Sequence, residues 1–337
     1  VLTREDPIVM TILLTDDHIR SLLDPPDLVA AIEQAILDER TTPSDVPDRL
    51  NLAGAGRFLR VMPAVVPSSE VMGLKTFFGG GGTGVRYVIL LMSSVTGEVL
   101  SVMDACYLTA ARTAATSAVA ARAMGVKAQT LGVLGTGLEA AAHVRTFALL
   151  DAPREIKVFS PNPESRARFA ATMRAEYDIE VTVCSSAQEA AAGVEHLVTA
   201  TNTGYGGPIA CRSEWIEAGT HVSAIGSTHQ ELRELEATIL ERADILVFDA
   251  DPGQIAGESG DIRDYAAQGG DLARVVALDD LLQAQVAIPG SPQDLSIFKS
   301  VGTALQDMVA ADLAFRRAAE LGLGTTWDDI ALPKGNR

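Results

Sequence analysis

The stretch Leu131-Gly-Val-Leu-Gly-Thr-Gly-Leu-Glu-Ala140 constrains the fold of this chain more than any other. An apolar run, Thr130 to Leu134, enters the turn Gly135-x-Gly137-x-x-Ala140, and a helical pattern follows at once. Gly135 allows a tight turn, Gly137 lets a pyrophosphate approach the backbone, and Ala140 lets the helix pack close to its strand. The N-terminus of that helix then points at the phosphates. Strand, glycine turn and helix in this order are read as a dinucleotide site, with Thr136 and Leu138 completing the turn. The alternative is a tight strand–helix connection with no ligand.

From Gln129 onward the chain alternates between short apolar runs and helical stretches. The runs fall at Thr130–Leu134, Ile156–Ser160, Val181–Val183, His196–Ala200, His221–Ile225 and Ile245–Phe248. This alternation predicts a doubly wound, mainly parallel sheet of the Rossmann type over residues 125–295. Before it, Ile12–Leu14, Phe58–Val66 and Met72–Phe78 read as strands, and Val88–Met92 and Val99–Asp104 flank Thr96-Gly97 as a hairpin. Helical patterns cover Asp27–Arg40 and the Ala-rich Leu108–Met124. A last helix, about Ser300–Glu320, is expected to return to this first, α+β unit. The expected organisation is therefore α/β overall, with a discontinuous α+β domain at 10–124 and 296–337. Val1 is not an initiator methionine and Met10 precedes an ordinary start, so residues 1–9 are read as added residues or an upstream extension.

Composition narrows the function. Aromatic residues are only 5% of the chain while apolar residues reach 47%, which suits a parallel α/β core better than a β-sandwich. A net charge of −17 without basic tracts argues against nucleic acid and anionic membrane as partners. No stretch has the length of a membrane span. Three scattered cysteines, Cys106, Cys184 and Cys211, argue against a disulfide scaffold and fit a reducing, cytoplasmic setting. His18, His143, His196, His221 and His229 form no metal-ligand spacing with them, so no metal is expected. No GxSxG elbow is present.

Several segments, in order, resemble the ornithine cyclodeaminase/mu-crystallin family. They are Pro47-x-Arg49, Val61-Met-Pro-Ala64, Gly73-Leu-Lys-Thr76, Thr96-Gly-Glu98, Met103-Asp104 and Leu108-Thr-x-x-Arg-Thr-Ala-Ala115. The glycine turn, Gly226 with Arg233-Glu-Leu235, Gly257-Glu-Ser-Gly-Asp261 and Phe298-Lys-Ser-Val-Gly-Thr-Ala304 complete the set. The resemblance implies bound NAD(H) or NADP(H), amino- or imino-acid substrates, and a homodimer built through the first domain. The apolar strand set between residues 58 and 104, large for a half-domain packed on itself, points to the same dimer. Arg49, Lys75 and Arg112 match the positions where the family binds the substrate carboxylate and places its active-site lysine. A guanidinium holds a carboxylate bidentately and fixes the reacting carbon, and an ammonium among cations has a lowered pKa. Arg57, Arg60 and Arg86 are rivals for these roles. Thr113 is expected at the cofactor phosphates, and Thr201, Thr228 and Val301 along the cofactor.

Three departures shape the functional reading. Thr228 stands where ornithine cyclodeaminases carry an aspartate, and its hydroxyl cannot act as that general base. This favours imine reduction or amino-acid dehydrogenation over cyclodeamination, with His229 as a substitute acid and a non-catalytic, mu-crystallin-type ligand-binding protein as the remaining alternative. The stretch Phe77–Gly84 is shorter and richer in glycine than the family pattern, and reads as room for a larger substrate, a lid or a slack loop. The second Rossmann strand ends in Ser160-Pro-Asn162 with no acid at its tip, followed by Arg166 and Arg168. Ser160 and Asn162 can bind a 2′-phosphate and Arg166 can neutralise it, so NADP(H) is favoured over NAD(H), although Glu164 lies close by.

Overall fold

The structure is a computed structural model that describes residues 10–284, 291, 293–328, 330, 331 and 334. Two units are evident: residues up to Arg112 together with those from Thr303, and Thr113–Gly302. Residues 1–9 lie outside the described residues.

The first unit opens with β1 (Thr11–Leu14), α1 (Asp16–Leu22) and α2 (Pro25–Asp38). The hydroxyl of Thr15 accepts from the His18 amide and caps α1, and Pro25 and Pro26 start α2 where their missing N–H groups cost nothing. Five antiparallel strands follow: β2 (Leu50–Gly54), β3 (Arg57–Val66), β4 (Val71–Gly80), β5 (Val85–Ser93) and β6 (Val99–Asp104). Period-2 alternation sets the two faces. On one, Met62, Ala64, Val66, Val71, Ile89 and Leu91 are buried, while Leu59, Val65 and Phe78 of the other remain exposed. Helix α3 (Cys106–Ala123) leaves β6 and leads into the second unit.

The second unit runs β7 (Thr130–Leu134), α4 (Leu138–Leu150), β8 (Glu155–Phe159), α5 (Pro163–Glu176), β9 (Glu180–Val183), α6 (Ala187–Ala191) and β10 (His196–Thr199). It continues with β11 (His221–Ala224), α7 (Ala237–Arg242), β12 (Ile245–Phe248), α8 (Pro252–Glu258), α9 (Gly260–Ala267), β13 (Val275–Ala277), α10 (Leu278–Leu282) and β14 (Ser296–Lys299). The strands form one sheet in the order β13-β12-β14-β11-β10-β7-β8-β9, and every pairing is parallel. This is the doubly wound Rossmann sheet, whose strand order reverses between β7 and β10. The chain then returns to the first unit with α11 (Ala304–Leu321) and β15 (Thr325–Trp327), which adds to β1.

The structure corrects the expected boundaries. Ser296–Lys299, placed with the first domain by the sequence, is a central strand of the second sheet, between β11 and β12. All its residues are buried, and only a central strand of a parallel sheet covers both faces of such a segment. The division therefore falls after Gly302, and the last helix starts at Ala304 rather than Ser300. The other boundary falls inside α3, at Arg112/Thr113, rather than after residue 124. The stretch Phe77–Gly84 is no open loop: Phe77–Gly80 belong to β4, and only Gly81–Gly84 turn into β5. Arg57 ties that turn through Gly80 O and Thr83 Oγ1. Strands β2, β13 and β15 have no counterpart in the sequence reading.

Candidate active site

Lys75 sits on the buried face of β4, opposite Met62 of β3 and Ile89 of β5. Two residues earlier, Gly73 faces Met308 of α11. A Cβ at Gly73 would lie 2.2 Å from Leu90 O and 2.9 Å from Met308 Sδ, so only glycine lets the helix settle this close to the sheet. Met308 is fully buried there, which stabilises the docking by roughly 1.5–3 kcal/mol. Its neighbour Asp307 is thereby brought against Lys75, with Nζ 2.8 Å from Oδ1 and 2.7 Å from Oδ2.

Arg112 reaches the same carboxylate from α3. Its Nε donates to Asp307 Oδ1 at 2.8 Å and its Nη1 to Gln306 Oε1 at 3.0 Å. Gln306 is positioned in turn by its capping box with Thr303 at the start of α11. Arg49, Lys75, Arg112 and Asp307 are all buried. Burial lowers the pKa of Lys75, the charges of Arg112 and Arg49 lower it further, and Asp307 opposes them, leaving it at about 8. Asp307 stays below the usual carboxylate range, because Lys75 and Arg112 outweigh the cost of its burial. Lys75 and Arg112 converge on one buried carboxylate, and Arg49 is close enough to act on Lys75 electrostatically, a grouping of cations suited to an anionic ligand. The sequence reading missed Asp307. Its only signal is a carboxylate beside Gln306 in the otherwise apolar run Ala304–Ala311.

The remaining candidates lie in the second unit, where topology gathers them along one edge. Gly135, Ser160, Thr201, Thr228 and Val301 follow the C-terminal ends of β7, β8, β10, β11 and β14 respectively, the edge on which such sheets bind nucleotides. Gly135 has φ +119°, and a Cβ there would lie 2.2 Å from Ala200 O, at the strand-order reversal. Gly137 differs. Its φ is −84°, it is the N-cap of α4 without a side-chain cap, and a Cβ there would meet nothing within 4 Å. A glycine required neither by backbone strain nor by packing, in front of open amides at the start of a thirteen-residue helix, fits a pyrophosphate. Thr136 and Leu138 flank it. Thr113 is buried in α3.

Some expected contacts are already committed. Asn162 Oδ1 accepts from the amides of Glu164 and Ser165 and caps α5, so its side-chain NH₂ is the group it offers. Arg166 donates through Nη1 to Cys184 O and lies 5.0 Å over the Phe159 ring; this holds its guanidinium at the tip of β8. The Thr201 amide and hydroxyl both donate to Glu234, and the Val301 amide donates to Asp249.

Glu234 itself organises this edge. It also accepts from Thr199 Oγ1 and from the amides of Gly226 and Ser227, which joins the loops after β10 and β11. Burial raises its pKa to about 7, against the attraction of Lys299. Asp261 accepts from the amides of Glu234 and Leu235 and lies 3.6 Å from Lys299 Nζ. A Cβ at Gly226 would strike Thr201 O and Glu234 Oε1. The motif residues around 226–235, 257–261 and 299 thus form a buried polar support.

The ornithine cyclodeaminase/mu-crystallin family profile matches residues 10–321. The chain belongs to this family. A mouse protein named ketimine reductase mu-crystallin is 31% identical over 308 residues, 89% of this chain and 93% of that protein. Among solved structures, Thermococcus litoralis Δ1-pyrroline-2-carboxylate reductase in complex with NADH and L-proline superposes with a TM-score of 0.87. It is 27% identical, over 94% of this chain and 99% of that one. An archaeal alanine dehydrogenase dimer with bound NAD gives a TM-score of 0.85 at 27% identity, over 95% of this chain and 99% of that one.

Proposed function

We propose that this protein reduces a small α-imino acid to the L-amino acid with a reduced nicotinamide dinucleotide, and catalyses the reverse oxidation. The observation that carries this reading is the buried pairing of Lys75 and Arg112 with Asp307, with buried Arg49 within electrostatic reach of Lys75. When bound, the reduced nicotinamide supplies a hydride to the imine carbon. Arg112, its guanidinium plane fixed by Asp307 and Gln306, holds the substrate carboxylate together with Arg49. Lys75, with a pKa of about 8, is protonated at neutral pH and donates its proton to the nitrogen as the C=N bond becomes CH–NH. Asp307 anchors the ammonium and keeps it charged against the cost of burial. The mouse ketimine reductase and the Thermococcus pyrroline-2-carboxylate reductase are named for this chemistry.

Thr228 carries no titratable group for ammonia loss, so ornithine is not cyclised. For the cofactor we favour NADPH, because Ser160, Asn162 and Arg166 place donors and a positive charge at the tip of β8, where no carboxylate stands. The exposed apolar face of the first sheet, with Leu50, Leu52, Leu59 and Phe78, is assigned to a second copy of the chain, and sedimentation is expected to give a dimer. The deciding assay follows nicotinamide absorbance with piperideine-2-carboxylate, pyrroline-2-carboxylate and linear α-imino acids, and L-amino acids in reverse. Turnover of the imines supports the reading. Efficient conversion of ornithine to proline overturns it in favour of cyclodeamination. Tight nucleotide binding with no turnover overturns it in favour of a ligand-binding protein.

A further inference from the structure

The sheet face that carries Lys75 extends further along the strands than the buried row it sits in. Two residues along, in register, stand Arg60 of β3, Phe77 of β4 and Tyr87 of β5. Met62, Lys75 and Ile89 are buried, whereas Arg60, Phe77 and Tyr87 are half-exposed. In the following row Phe58 and Val85 flank Gly79, where the backbone of Gly84 and Val85 comes too close for a side chain.

The geometry of this row is unusual for simple packing. Phe77 and Tyr87 are stacked, with ring centroids 5.3 Å apart and planes 15° from parallel. Rings stacked across neighbouring strands stand up from the sheet and present their edges outward. Phe58 meets Phe77 edge-on at 6.3 Å. The Arg60 guanidinium lies 5.5 Å from the Phe77 centroid and 5.7 Å from that of Phe58. The Lys75 ammonium lies 5.7 Å from the Phe77 centroid. Ring edges carry the positive end of the aromatic quadrupole, and a guanidinium and an ammonium add to it. The wall is therefore apolar in bulk and electropositive in field, which suits the negative face of a π-system.

We infer that the Arg60–Phe77–Tyr87 row is the side-chain subsite beside Lys75, and that the preferred substrates are α-imino acids bearing a flat, π-rich group. A substrate nitrogen at Lys75 places a substituent two or three bonds away against Phe77. The inference takes its chemistry from the imine-reducing reading and its location from the first unit alone.

The test uses matched pairs that differ only in unsaturation. The N-methyl imines formed from methylamine with phenylpyruvate and with 3-cyclohexylpyruvate are compared by kcat/KM in the intact protein and in Phe77→Leu, with the pyruvate imine as a small reference. The wild-type protein is expected to prefer the phenyl compound by about fivefold, from edge-to-face contact. Phe77→Leu, which keeps apolar bulk, should bring the phenyl-to-cyclohexyl ratio to about one. Calorimetric titration of phenylacetate against cyclohexylacetate reads the same preference without turnover. Reduction of small imines with no phenyl preference, or with a preference unmoved by Phe77→Leu, overturns the subsite and leaves the reaction standing. Phenylacetate selectivity that depends on Phe77, without turnover of any imine, upholds the subsite and overturns the reaction. Preference for the oxaloacetate-derived imine overturns the subsite in favour of an acidic side chain on Arg60.

Discussion

Asp307→Asn is the perturbation that tests the buried cluster most directly. Lys75 keeps a pKa of about 8 in spite of burial and of two neighbouring guanidinium groups, and Asp307 is the group that opposes them. Its carboxylate lies 2.7 Å from Nζ. Taking the charge centres as roughly 4 Å apart and an effective dielectric constant of about 20, the attraction is about 4 kcal/mol, or about 3 pKa units at 1.36 kcal/mol each. The carboxamide leaves the shape of the site in place and removes this charge, so Lys75 should titrate near 5. At pH 7 the protonated fraction would drop from about nine-tenths to about one-hundredth, and imine reduction that uses this proton should slow about a hundredfold. The assay is a pH–rate profile of kcat/KM from pH 5 to 9 at saturating NADPH, together with ¹⁵N NMR titration of the Lys75 Nζ. In the wild type the rate declines above pH 8; in the variant the decline moves below pH 6. A variant whose profile and Nζ titration both stay near 8 would refute the reasoning.

Gly137→Val should reduce nucleotide affinity by more than tenfold, about 1.4 kcal/mol. Thermal stability should hold, because the new side chain enters open space; unchanged affinity would make the turn structural. Arg166→Ala should weaken NADPH more than NADH in kcat/KM, and a wild-type protein with a strong NADH preference would reject the assignment of Ser160 and Asn162. Buried His143, His196 and His221 are neutral in the fold, since burial lowers their pKa values, to about 4 for His143 and about 3 for His221. Their unfolded values lie near 6.5, so the unfolded chain binds more protons and stability falls as pH drops from 6.5 toward these values. Glu234, raised to about 7, and Asp261, also raised by burial, have the opposite sign and offset part of this loss. Urea titrations at pH 7, 5.5 and 4.5 should show a net loss, with roughly 3 kcal/mol from His221 by pH 4.5; stability that rises as pH falls over this range would refute neutral buried histidines.

Local patterns in the chain carried the Rossmann unit, because strand, glycine turn and helix depend on neighbours in sequence. Gly135, Gly137 and Ala140 are legible for that reason, as are the hairpin at Thr96-Gly97 and the apolar runs of the parallel strands. The family resemblance, rather than spacing, singled out Arg49, Lys75 and Arg112. What the chain alone did not disclose depends on segments far apart in it. Ser296–Lys299 looks like any short apolar run until β11 and β12 close on both its sides. Asp307 reads as one more polar residue of an amphipathic helix until Gly73 admits Met308 and brings its carboxylate onto a lysine 232 positions away. Glu234 and Asp261 become acceptors for loop amides only once β10, β11 and β14 lie side by side. Sequence determined which segments became strands, turns and helices, because those choices are made over a few residues. Tertiary structure decided which charges met, because a buried ion pair exists only when packing removes water from both partners at once.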